Sequence, residues 1–189
     1  VLNYCWEGME EAEYVAQDNG VRTWYHAPWL HDGYAGREFI SGLRMDRTAA
    51  PGDLAAGQQD DVRTFSMTYY NDLAGYTLGQ VWCDTDKPDA AKARFPVGSV
   101  IFRLTYTTAD TSTVPTLIGA ASIDAFVQEG TETPLDEKEI REVRLIQVDY
   151  QVRSNSADAV NGWIFGSHDY DGRVDGSMAA KLVPVGLQW

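Results

Sequence analysis

VGSVIFRLTYTT, residues 97–108, alternates without a break: Val100, Phe102, Leu104 and Tyr106 fall on one side of an extended chain, and Ile101, Arg103, Thr105 and Thr107 on the other. Successive side chains of a strand point to opposite faces, so this period-two pattern, rich in β-branched and aromatic residues, specifies a β-strand with one apolar face. VRLIQVDYQVR (residues 143–153) repeats the pattern, with Ile146, Val148, Tyr150 and Val152 turned inward and Gln147, Asp149, Gln151 and Arg153 turned away. RTFSMTYY (residues 63–70) places Phe65, Met67 and Tyr69 on one face, and NDLAG then supplies turn chemistry before YTLGQVW (residues 76–82), which reads as a β-hairpin. NGWIFGSHDY (residues 161–170) and KLVPVGLQW (residues 181–189) add two strands, the last an edge or broken strand because Pro184 has no N–H to donate.

Helices are few. MEEAEYVAQ (residues 9–17), stopped by DNG, predicts a short N-terminal helix, and PLDEKEIRE (residues 134–142) a short charged helix or turn. RTAAPGDLAAGQQDD (residues 47–61) is too small and polar for a core and reads as a long surface loop. The expected fold is mainly β, an antiparallel β-sandwich or jelly roll with short helices, with α+β as the alternative. A chain of 189 residues suits one domain, 1–189, that buries a sizeable core without staples.

Composition narrows the classes of function. Hydrophobic residues make up 44% and charged residues 23%, ordinary globular usage, whereas aromatic residues reach 12%. That excess fits a sheet-rich core or a stacking surface for sugars or bases. The formal charge of −13, from 28 acidic against 15 basic residues, disfavours nucleic acid, which would meet a repulsive mean field. No run of apolar residues is long enough for a membrane-spanning helix, so no membrane partner is expected. Two cysteines, Cys5 and Cys83, exclude a zinc site built from four cysteines and leave one disulfide or two free thiols. A bond tying the N-terminal segment to a central strand would suit a secreted protein, and the start at Val1 rather than methionine is compatible with a removed leader.

The blocks WYHAPW, GREFISGL, GYTLGQVW, FPVGSVIFRL, VRLIQVDYQVR and NGWIFGSHDYDG together resemble an uncharacterised family of bacterial and fungal proteins with similar GREF, GYTIGQVW and GWVFGTFxYDG blocks. The resemblance runs over residues 24–189. It implies one coherent domain and carries no established activity or ligand.

Four places concentrate chemistry. In GREFISGLR (residues 36–44), two helical turns would put Phe39, Ile40 and Leu43 on an apolar side and Arg37, Ser41 and Arg44 on another, with the two arginines about 10 Å apart. Such a pair suits a carboxylate or phosphate, which a guanidinium grips through two N–H groups. His26 and His31 titrate near neutral pH, as proton transfer requires, and Glu38 would orient one of them; the bland reading is a loop of surface ion pairs. On a strand, Tyr76, Leu78, Gln80 and Trp82 would share one side, where an aromatic ring stacks the apolar face of a sugar and an amide bonds its rim. That stretch is faintly similar to the QIH or QVH strand of β-sandwich alginate lyases, which lines their substrate groove. Trp82 stands where that family has histidine, however, and its Tyr-x-Lys-x-Gly-x-Tyr segment is missing.

SHDYDGRVDG (residues 167–176) spaces Asp169, Asp171 and Asp175 around two glycines, an oxygen-rich arrangement that suits calcium and equally suits plain turns. His26, His31, Asp32 and His168 are the alternative ligand set, for zinc or a similar metal. Lastly, His26, the GLR of residues 42–44, Tyr69 with Tyr70, and Glu139 or Glu142 loosely resemble the order of site residues in ADP-ribosyltransferases, which would imply NAD as substrate. No nucleophile elbow, P-loop or dinucleotide fingerprint occurs. The expectation is a soluble, secreted β-sandwich domain that recognises a carbohydrate or similar polar small molecule and could be catalytic, with an ADP-ribosyltransferase-like enzyme acting on NAD, or a structural or interaction domain without a small-molecule site, as the alternatives. In the first reading Tyr76 and Trp82 stack the ligand, Gln80 and Arg37 bond it, and His26 or His31 moves any proton.

Overall fold

The computed structural model describes residues 1–26, 42–84, 86–128, 140–156 and 162–188. The architecture is mainly antiparallel β, with eight strands in one hydrogen-bonded sheet and two short α-helices among the described residues. β4 (Val100–Thr107) lies at its centre, flanked by β3 (Val62–Tyr70) and β6 (Ile140–Arg153), both antiparallel to it. The other edge of β3 carries β2 (Gly42–Ala49) and, at its far end, the two-residue β1 (Tyr25–His26). β5 (Ser122–Gln128) runs antiparallel to the first third of β6 and parallel to the start of β2, Gly42 opposite Phe126.

That last pairing closes a ring, β2-β3-β4-β6-β5, back onto β2. The closure spans three residue pairs, Gly42 to Arg44 against Phe126 to Gln128. At the opposite end the sheet opens, because the second half of β6 pairs instead with β7 (Trp163–Tyr170), and β7 with β8 (Leu182–Gln188). Pro184 lies in β8, which ends the strand order among the described residues, as an edge strand should.

The alternation of residues 97–108 is realised directly. Val100, Phe102, Leu104 and Tyr106 are all buried, packed with Phe65, Met67, Tyr69, Val148 and Tyr150. Tyr106, Phe65 and Phe102 are at most 1% exposed, and burying each such ring contributes about 1.5–3 kcal/mol. In β6 the phase of the pattern changes. Thr105 is opposite Gln147 but Tyr106 is opposite Leu145, so Ile146 is an extra residue, a β-bulge. Val143 and Leu145 are buried before it and Val148 and Tyr150 after it, so one strand feeds both the closed and the open part of the core.

Several local expectations are corrected. The supposed second hairpin strand is helix α2 (Asp72–Val81), and the hairpin does not form. Asn71 caps it: its Oδ1 accepts from Ala74 N at 3.1 Å and also from Val100 N at 3.0 Å, while its Nδ2 donates to Gly98 O at 2.9 Å. A local cap that also bonds the neighbouring strand outweighs the β-preference of Tyr76, Thr77 and Trp82. At the N-terminus the α-helix is α1 (Leu2–Trp6), not residues 9–17; that stretch forms turns followed by the start of a single 3-10 turn, Ala16–Asp18, and Glu13 and Tyr14 adopt positive φ of 50° and 64°. The turns lower Trp6 and Met9 onto the core, and Trp24 meets Phe102 edge-on at 4.4 Å.

Gly42 to Arg44 start β2 rather than end a helix, and Ile140 to Glu142 start β6. Residues 36–41 and 134–139 lie outside the described residues. Of the two alternatives for the cysteines the structure has free thiols: Cys5 is buried in α1 and Cys83 is exposed after α2. The loop after β2 is as expected on the surface, yet Gln58 within it is buried and ties it down, donating to Ala49 O and Asp60 O and accepting from Leu54 N.

Candidate functional site

The open end of the sheet carries a groove of about 660 Å³ on the face turned away from Phe102 and Leu104. Two neighbouring rungs of the ladder form its floor. The polar rung runs Thr68, Arg103, Asp149, Ser167, Gly186 across β3, β4, β6, β7 and β8. The other runs Ile101, Gln151, Phe165, Gln188 across the last four of these strands.

The polar rung is bonded into one network. Arg103 donates to Asp149 Oδ2 through Nε at 3.1 Å and Nη2 at 2.8 Å, and through Nη1 to Asp46 Oδ1 at 3.3 Å. Ser167 donates to the other Asp149 oxygen at 2.6 Å and accepts from Gln147 Nε2 at 3.0 Å. Cross-strand register creates this network: residues on the same face of neighbouring strands are close enough to bond. It also gives each Asp149 oxygen a donor, so the carboxylate is held in place at the centre of the network. Asp169, opposite Gln147, has its carboxyl raised above the ordinary value, by desolvation first and by the charge of Asp149 second.

The second rung is built differently. Phe165 is 39% exposed, a large apolar ring left open to the groove. Gln151 and Gln188 stand on either side of it, both exposed, so an aromatic platform is bracketed by two primary amides. Adjacent strands lie about 4.8 Å apart, which puts the two amide-bearing positions about 10 Å from each other. An apolar face with hydrogen-bonding groups at its two sides matches a ligand that is flat, apolar on one face and hydroxylated at its rim.

The residues singled out from sequence do not assemble as expected. His26 is opposite Tyr69 and its ring is 6.4 Å from that of Tyr69, on the face of the ladder away from the groove. Arg44 is opposite Ser66 in β2, while His31, Asp32, Arg37 and Glu38 lie outside the described residues. Tyr76 and Gln80 are one turn apart on the exposed side of α2, but Trp82 follows the last helical residue and falls on another side, so the stacking trio is undone. Tyr70, opposite Ile101, is level with Gln151, whereas Glu142 is nine residues back along β6, roughly 30 Å away, where it pairs with Arg144. Of the NAD-type set, His26 and Tyr69 are ladder partners and Glu142 lies apart from them, while Glu139 lies outside the described residues.

Nor does the turn after β7 form a cation cage. Asp169 faces Gln147, Asp171 is held by the Arg173 guanidinium, and Asp175 is exposed. Arg173 pulls the Asp171 carboxyl below the usual range. Among the described residues no three His, Cys, Asp or Glu side chains converge as a metal would require. His168, the fourth member of the other proposed ligand set, is four ladder steps from His26.

The groove residues carried a signal in the alternation itself. Arg103 and Ile101 on β4, and Asp149 and Gln151 on β6, were assigned to the outward faces of the two clearest strands. An outward face holding a charge pair, amides and a bare phenylalanine is richer than solubility needs. Comparison with protein-family models, curated proteins and solved structures finds no match to this chain.

Proposed function

We propose that this protein binds a carbohydrate in the groove at the open end of the sheet. The observation that carries the reading is the rung in which Gln151 and Gln188 flank the exposed Phe165. A pyranose ring stacks its C–H face on Phe165 and spends its equatorial hydroxyls on the two amides and on Ser167. Asp46 and Asp149 share the Arg103 guanidinium, which leaves one negative charge over, and the whole chain carries −13. Neutral or amino sugars therefore suit the groove better than uronic acids.

In this reading the ligand-binding role passes from residues 76–82, read from sequence as a strand, to β6, β7 and β8. The test is a glycan array probed with the labelled chain, followed by calorimetry on the strongest neutral glycan. Phe165→Ala should weaken that binding about tenfold, the worth of one stacking contact of about 1.4 kcal/mol. Retention of no glycan above background would defeat the proposal.

A further inference from the structure

The groove has a direction. Its floor crosses five neighbouring strands, from Thr68 on β3 to Gly186 and Gln188 on β8. At about 4.8 Å per strand the path is roughly 19 Å long, and it runs across the strands rather than along them. The strand spacing is close to the length that each pyranose adds to a linear sugar chain. A single ring over Phe165 would occupy the platform and leave most of the path uncovered.

The end of the path is open by construction. Gly186 closes the polar rung opposite Ser167, and a Cβ placed on it would meet no atom within 4 Å. Among the described residues nothing lies within 4 Å of that Cβ position, and β8 ends the strand order. The glycine next to it in the ladder differs: at Gly166 a Cβ would lie 2.2 Å from Tyr150 Cζ, so that glycine serves the packing of the opposite face. Gly186 has no such packing reason. Its missing side chain keeps the exit clear.

We infer that the site takes a linear oligosaccharide of neutral sugars laid across the strands, one ring on Phe165 and the chain continuing over Gly186 past the sheet edge. This rests on the carbohydrate reading above and adds the form of the ligand. Each ring along the path presents one edge to the polar rung, where Arg103, Asp149 and Ser167 are held in place by their mutual bonds. Gly186 is then the residue that admits a chain rather than a single sugar.

The experiment is calorimetry with glucose, mannose and xylose and with their β-1,4-linked oligosaccharides, together with β-1,3- and α-1,4-linked gluco-oligosaccharides, each at one, two and four units. For the sugar bound, affinity should rise about tenfold or more from one unit to four. Gly186→Val should bring the ratio of four-unit to one-unit affinity down towards one. In the unmodified protein, amide chemical shifts should move from Thr68 to Gly186 with the tetramer and only around Phe165 with the monomer; this measurement stands even if the variant folds poorly. Equal affinities for one and four units, with shifts confined to Phe165, overturn this inference and leave carbohydrate binding intact. Binding of none of these sugars, together with a blank glycan array, removes both.

Discussion

Arg103 on β4 and Asp149 on β6 are direct partners in the ladder, and the guanidinium meets Asp149 Oδ2 through two nitrogens at once, at 3.1 and 2.8 Å. Their side chains are 38% and 25% exposed, so water screens the pair and its worth is modest. A double-mutant cycle of Arg103→Ala and Asp149→Ala, read by urea unfolding, should give a coupling of about 1 kcal/mol. Ser167 and Asp46 would each lose a partner in one single variant, which is why the cycle and not a single substitution is the measure. A coupling of zero would mean that the groove floor is not held by this bond.

Asn71 caps α2 and also bonds both Gly98 O and Val100 N. Asn71→Ala should cost about 2–3 kcal/mol, a lost cap plus a buried N–H left without a partner. Asn71→Asp keeps both accepted bonds and loses only the donor to Gly98, and should fall between the two. Equal stabilities of Asn71→Asp and Asn71→Ala in thermal unfolding would show that the accepted bonds carry nothing.

How much of this was legible in sequence depended on whether the controlling interaction was local. The β4 pattern needs only the alternation of Val100, Phe102, Leu104 and Tyr106, and the structure reproduces it. In β6 alternation alone gives one inward row from Ile146 to Val152, and the bulge that also buries Val143 and Leu145 is set by pairing with β4. For residues 72–81 a local signal existed, Asn71 followed by Ala74, Thr77, Leu78 and Val81 at helical spacing, but the β-preference of the intervening Tyr76 concealed it. The groove is the opposite case. Phe165, Gln151 and Gln188 come from three strands, and only the register of those strands makes them one rung.

The two thiols should behave oppositely. Burial pushes the Cys5 thiol up to about 12, and its side chain is inaccessible, whereas Cys83 is exposed. A thiol reagent should label one cysteine in the native chain at pH 8 and both after denaturation without reductant, with mass analysis assigning the native label to Cys83. Finding no label after denaturation without reductant would restore the disulfide.

His168 provides the pH dependence. It lies on β7 with its ring 5.6 Å from that of Tyr150, and its Nδ1 is buried with no hydrogen-bond partner among the described residues. Desolvation lowers its pKa from 6.5, the amino terminus adds to that, and the charge of Asp149 opposes it. The folded chain then binds this proton less readily than the unfolded chain, so protonation favours unfolding. Its contribution to stability is present above 6.5, the ordinary value, and is lost as the pH falls through the lowered folded value. Urea unfolding at pH 7.5 and at pH 5.5 should show a larger loss of stability for the natural chain than for His168→Gln, which has nothing to titrate there. Identical losses would mean that the ring is solvated and that the buried Nδ1 contributes nothing to the acid sensitivity of the fold.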